Sequence, residues 1–207
     1  MLELFKELGK DMELKFRGIL GPRPDLGDVS EIVLLNRILR YADCGGNPAI
    51  EWEADPRHAE IIVKQLGLKA AGTKSLSTPG DKLRCKEEGE ELKGTQVTKY
   101  RSLAMTASFL VQDYSGIQYA TKELAREMKT PTVGSWGRLK HLGRYLLGAS
   151  RVVQVFKWQK RVGYLYQGVD SNHAGCLRTC KSTSSGTLFH GVHCLRSYSA
   201  TQGPLKF

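Results

Sequence analysis

Helical and strand-like periodicities occupy separate blocks of this chain, and their order constrains the fold more than any single residue does. Apolar residues recur at three- and four-residue steps in three sets: Tyr100, Leu103, Ala107 and Leu110; Ile117, Ala120, Leu124 and Met128; Trp136, Leu139 and Leu146. That spacing gathers each set on one helix face. Three helices are therefore predicted, the second opened by Ser115-x-x-Gln118 as a capping box and parted from the third at Thr130-Pro131. Strand-like runs flank this block on both sides, which excludes an all-helical bundle and an all-β sandwich. The expectation is an α+β fold.

Upstream, residues 12–20 (MELKFRGIL) alternate like a strand until Gly21-Pro22-Arg23-Pro24 breaks the pattern. Residues 32–41 (IVLLNRILRY) read as one strand paired through DCGGNP with residues 49–53 (AIEWE). A helix competes over 29–41, because Ile32, Leu35 and Leu39 also share a helical face. Asp55-Pro56 is a helix start, followed at helical spacing by Ala59, Ile62, Val63 and Leu66 and stopped by Gly67. From 69 to 98 the periodicity dissolves into Gly, Ser, Thr, Pro and the charged run KEEGEELKG, a solvated connector and a boundary. After Gly148, residues 152–158, 163–169 and 187–196 regain strand character and are expected to open an antiparallel sheet. The chain contains no repeat of 20–50 residues, phosphate-binding loop or dinucleotide-binding glycine pattern.

The 207 residues carry 31 Lys+Arg against 21 Asp+Glu, a net charge of +10. The excess is not spread evenly. Residues 1–98 hold 15 basic and 17 acidic side chains, whereas 99–207 hold 16 and 4. A basic half points to a polyanion, and RNA, DNA or their hybrid is the expected partner. No apolar run is long enough to span a membrane, so no membrane partner is expected.

Five cysteines at uneven spacing make a poor disulfide framework and fit reduced thiols, so an intracellular location is expected, cytoplasm or nucleus being left open. His173, Cys176, Cys180, His190, His193 and Cys194 lie close enough to draw a zinc site. Their spacing is not standard for zinc, and on a strand His193 and Cys194 would point to opposite faces. The expectation is no bound metal.

Five blocks in order are similar to the Pol polyprotein of copia-type LTR retrotransposons. LSTP (76–79) resembles the segment closing reverse transcriptase, and YRSLAMTASFL (100–110) resembles the family's YRSLVGSLLYL. YSGIQYATKELAREMKTPTVGSWGRLKHLGRYLLG (114–148) is similar to the helical stretch ending in RYLKG. VDSNHAGCLRTCKSTSSG (169–186) resembles the block that begins RNase H, and SYSATQ (197–202) its WSSTQ. Asn172-His173 stands where the family has Asp-Trp, and Cys180 where it has Arg.

The resemblance implies three segments: the C-terminal remnant of a reverse transcriptase domain with its charged connector (1–98), a helical connection (99–150), and a truncated RNase H-like domain (151–207). It makes Asp170 the first RNase H carboxylate. The family is an RNA-directed DNA polymerase with RNase H activity that uses Mg²⁺, and two-metal hydrolysis needs several carboxylates. Residues 171–207 contain no Asp or Glu, and the chain has no consecutive Asp-Asp pair of the polymerase type. Asp170 is accordingly expected to be idle, and neither active site to be complete. Contacts to phosphates are expected from Arg126, Arg138, Lys140, Arg144, Lys157, Lys160 and Arg161. The competing reading is a non-enzymatic RNA- or protein-binding product of a domesticated transposon. Self-association through an unpaired sheet edge is a further expectation.

Overall fold

The computed structural model describes residues 6–69, 72–80, 89–175 and 179–203. Cys176, residues 81–88 of the connector and the last four residues lie outside the described residues.

The fold is α+β, with its apolar core in the helices and three sheets around them. Helix α1 is Arg57–Gln65, α2 Thr95–Leu110, α3 Gln118–Arg126 and α4 Val133–Gly148. Ile62 from α1, Leu103 from α2, Leu124 from α3 and Leu139, Leu142 and Leu146 from α4 are at most 1% exposed. Most of the predicted stripe residues form the core, with Ala120, Met128 and Trp136 partly buried against it, and α1 joins them across the expected boundary at 98 by packing on α2 and α4. Among the described residues of the strand-rich segments, Ala49 and Ala54 are the fully buried apolar side chains, and Val152 packs partly buried against the core.

Local chemistry sets the helix ends. Asp55 Oδ1 accepts from the Arg57 N–H at 3.0 Å, as the expected start signal requires. At the other end Gly67 takes φ +69°, and its N–H and that of Leu68 bond the carbonyls of Lys64 and Val63 in a Schellman pair. Before α3 the expected capping box does not form. Ser115–Ile117 is a 3₁₀ turn without a side-chain cap, and the Gln118 amide instead donates to the Ser197 carbonyl and hydroxyl, both at 2.8 Å. The capping box present is Thr132 with Ser135, opening α4. Arg101 of α2 donates to the carbonyls of Met128 and Lys129, closing the chain beyond α3.

The expected strand over 12–20 shrinks to β1 (Ile19–Leu20), which runs parallel to β2 (Asp28–Val29) around a 3₁₀ turn at Pro24–Leu26. The expected single strand over 32–41 is a hairpin of β3 (Glu31–Leu34) and β4 (Arg37–Asp43). Leu35 and Asn36 turn it with φ +49° and +63°, the left-handed pair a two-residue type I′ turn needs. β4 then pairs with β5 (Pro48–Glu53), as expected.

β6 (Val153–Lys157) departs from the sequence expectation. It does not open a sheet with the strands that follow it. It crosses back to β5, with Ala49 opposite Lys157 and Glu53 opposite Val153, giving the order β3-β4-β5-β6. The later strands form their own antiparallel sheet: β7 (Leu165–Ser171), β8 (Thr183–His190) and β9 (His193–Thr201). Residues 151–207 are therefore shared between two sheets.

Where the connector is described, most of residues 72–80 are exposed and form no helix or strand. Residues 74–78 lie along α4: Leu76 N–H donates to the Arg144 carbonyl, and His141 Nε2 bonds the Thr78 carbonyl at 3.0 Å. A Cβ at Gly148 would come within 2.8 Å of Ser75 Cβ, so that helix residue admits the strap only as glycine. Further on, Glu90 and Leu92 bond the backbone of Val133 and Pro131. No described helix is long and apolar enough to cross a membrane.

Candidate nucleic-acid interface and the groove at Asp170

Asp170 sits near the end of the edge strand β7, opposite Ser185 of β8, and is exposed. It borders an open groove of about 920 Å³ between the sheet and the chain segment that enters α3. Gln118 and Tyr119 form one wall; Tyr166, Phe189 and Tyr198 supply aromatic surface on the other. Among the described residues, Asp170 is the only carboxylate that lines the groove, and no group of three His, Cys, Asp or Glu is able to hold a metal ion. A single exposed carboxylate among hydroxyls and rings does not fit a pair of divalent cations, which need bridging carboxylates.

The four acids of the basic half divide in a way that sequence does not reveal. Asp113 accepts from Arg37 Nε at 2.7 Å, Glu123 is paired with Lys122 and Arg126, and Glu127 holds Arg138. Asp170 is the remaining acid, and no salt bridge joins it to any described residue. The basic candidates divide accordingly. Arg126 is bound by both Glu123 oxygens and reaches Thr179 Oγ1. Arg138 lies in a pair with Glu127 whose side chains are 11% and 10% exposed, bridging α3 to α4. Arg144 donates to the Lys74 carbonyl at 2.9 Å and so holds the strap. Lys140 on α4, Lys157 at the end of β6, and Lys160 and Arg161 in the following loop are exposed.

Lys122 was not singled out by sequence. Its Nζ reaches Thr183 Oγ1 at 2.8 Å and lies 4.5 Å from the Tyr119 ring centroid, tying α3 to the sheet beside the groove. The three-residue step from Tyr119 to Lys122 is the signal that points to it.

The histidines of the zinc reading have a structural use. A carbonyl only accepts, so His193 Nε2 donates to the Lys157 carbonyl at 2.6 Å and His190 Nε2 to that of Val162 at 2.8 Å. Gln159 completes the junction: its amide donates to the His190 carbonyl, and its Oε1 accepts from the Val192 N–H. These bonds pin the β8–β9 turn to the loop leaving β6, and they join the two sheets. Cys180 and Cys194 are free thiols.

No protein-family model, curated protein or solved structure matches the chain.

Proposed function

We propose that this chain is a nucleic-acid-contacting segment of a copia-type Pol polyprotein, spanning the end of reverse transcriptase, the helical connection and the start of RNase H, without a complete catalytic centre of either kind. The observation that carries the reading is the ordered set of five blocks. Its third block supplies α3 and α4, and its fourth and fifth contribute to an antiparallel sheet whose edge strand bears Asp170. The charge distribution supports the binding part. Three of the four acids in 99–207 are neutralised within the fold, whereas Lys140, Lys157, Lys160 and Arg161 remain exposed. Such cations attract phosphates through a long-range field that reads no sequence.

The test mixes the purified chain with an RNA–DNA hybrid in Mg²⁺ or Mn²⁺. Retention that falls steeply with salt, without cleavage or primer extension, is the expected result. Absence of retention at low salt overturns the binding role. Reproducible cleavage abolished by Asp170→Asn overturns the claim of an incomplete centre.

A further inference from the structure

The edge strand β7 carries a pairing surface of its own, separate from nucleic-acid contact. In the sheet order β7-β8-β9 no described strand lies on its outer side. Leu165, Tyr166 and Val169 are 61%, 60% and 70% exposed. β7 contains no Pro, Lys, Arg or bulge, Asp170 is its one charge, and its register with β8 is regular from Leu165 to Ser171. The edges at β3, β6 and β9 differ. β3 has only four residues, β6 ends in Lys157, and β9 carries Arg196 and a register shift where it meets β8.

The geometry of β7 selects its partner. Asn172 N–H donates to the Thr183 carbonyl, and antiparallel pairing alternates, so even-numbered residues turn their backbone groups toward β8. Leu165, Gln167, Val169 and Ser171 therefore present one N–H and one C=O each to the outside. These four match themselves under a two-fold axis through Gly168: Leu165 falls opposite Ser171 of a second copy, and Gln167 opposite Val169. No other symmetric register engages all four. In it Tyr166 lies across from Asp170 of the second copy on the same face, a phenol donor facing a carboxylate twice over. The two Asp170 charges stay apart, and on the other face the two Val169 side chains become diagonal neighbours. Glycine at the centre leaves room, since a Cβ there would meet nothing closer than the Tyr166 ring at 3.9 Å.

We infer that two copies of this chain associate antiparallel through β7, with Gly168 on the two-fold axis, extending the three-stranded sheet into a six-stranded one. One strand pair buries little compared with a standard interface, so the dimer is weak and depends on concentration.

Sedimentation velocity of the full chain over a wide concentration range, without nucleic acid, is the test. A monomer–dimer equilibrium is expected, weakened about tenfold or more by Val169→Lys, which sets two cations side by side. Gln167→Pro, which removes an outward N–H and leaves the β8 ladder intact, is expected to act alike. Val155→Lys on the β6 edge should leave association unchanged, and far-UV circular dichroism should show all three variants folded. Gly168→Cys should oxidise to a dimer whose disulfide, mapped by peptide mass spectrometry, joins the two copies of residue 168. A monomer at every concentration, a dimer insensitive to both β7 variants, or a Gly168→Cys chain that forms no 168–168 disulfide overturns the inference. None of these outcomes bears on nucleic-acid retention.

Discussion

Arg151 donates through Nε and Nη2 to the two carboxylate oxygens of Glu53 at 2.7 and 2.9 Å, joining residues 98 positions apart. Glu53 is 2% exposed, and Arg40 of the neighbouring strand holds it from the other side. The cluster ties β4 and β5 to the segment that feeds β6, and thereby fastens the sheet to the end of α4. The carboxyl group is held down to about 2, chiefly by the Arg151 hydrogen bonds and then by Arg40, against the opposing effect of burial.

Loss of that carboxylate is expected to be costly. The folded value lies below the ordinary 4.5, so the folded state binds fewer protons, and the stabilisation is fully present above pH 4.5 and lost as pH falls toward 2. Its size is on the order of 3 kcal/mol. Glu53→Gln should lower urea-unfolding stability at neutral pH by about 3 kcal/mol, because it leaves two arginines facing a neutral amide. It should also flatten the acid limb between pH 4.5 and 2. An unchanged midpoint would show that the cluster contributes nothing net.

Gly143 is the opposite case, a helix residue where alanine should harm. Propensity alone favours Gly→Ala inside a helix by about 1 kcal/mol. Here a Cβ would stand 2.7 Å from both Leu66 Cδ1 and Leu68 Cδ1, where α4 meets α1 and its C-terminal turn. Overpacking costs about 1–3 kcal/mol, so Gly143→Ala should be net destabilising by thermal melting.

How much of this was legible follows from the reach of each interaction. Asp55-Pro56 and Gly67 bracket α1 by interactions within a few residues, and the stripes at Tyr100, Ile117 and Leu139 report burial directly, so the helices read clearly. Glu53–Arg151 and the pairing of β6 with β5 are long-range, and no local pattern encodes them. The charge excess of 99–207 could be counted, but Glu127 neutralises Arg138 across two helices, which only the fold reveals. The Ser115-x-x-Gln118 spacing matched a capping box, yet the Gln118 side chain turns to β9 and donates through its amide nitrogen to the carbonyl and hydroxyl of Ser197. The histidine and cysteine spacing argued against a zinc site but could not say what those residues do; two of the histidines donate to backbone carbonyls.

The β3–β4 turn escaped detection because Leu35-Asn36 is an unusual pair for it. Leu35 is 77% exposed at φ +49°, so its side chain gains little burial while its backbone is strained. Leu35→Asn combined with Asn36→Gly supplies the residues a type I′ turn prefers and should stabilise the chain by about 1 kcal/mol in chemical denaturation. A loss of stability would mean that Leu35 has a packing role its exposure does not show.

The two kinds of basic residue should separate experimentally. Replacing Lys140, Lys157, Lys160 and Arg161 together by alanine removes exposed cations without breaking an ion pair described in the fold. Retention on an RNA–DNA hybrid should weaken alike for unrelated sequences, and the log–log salt slope should shallow by about 0.9 for each phosphate that is no longer neutralised. The melting temperature should hardly move. Arg138→Ala is expected to do the reverse, because it strands Glu127 in a largely buried site beneath α4. Its cost should be about 1–3 kcal/mol of stability, with a salt slope close to that of the parent chain. If Arg138→Ala instead shallows the slope while leaving stability intact, its guanidinium serves phosphate more than Glu127, and the division between paired and exposed cations fails.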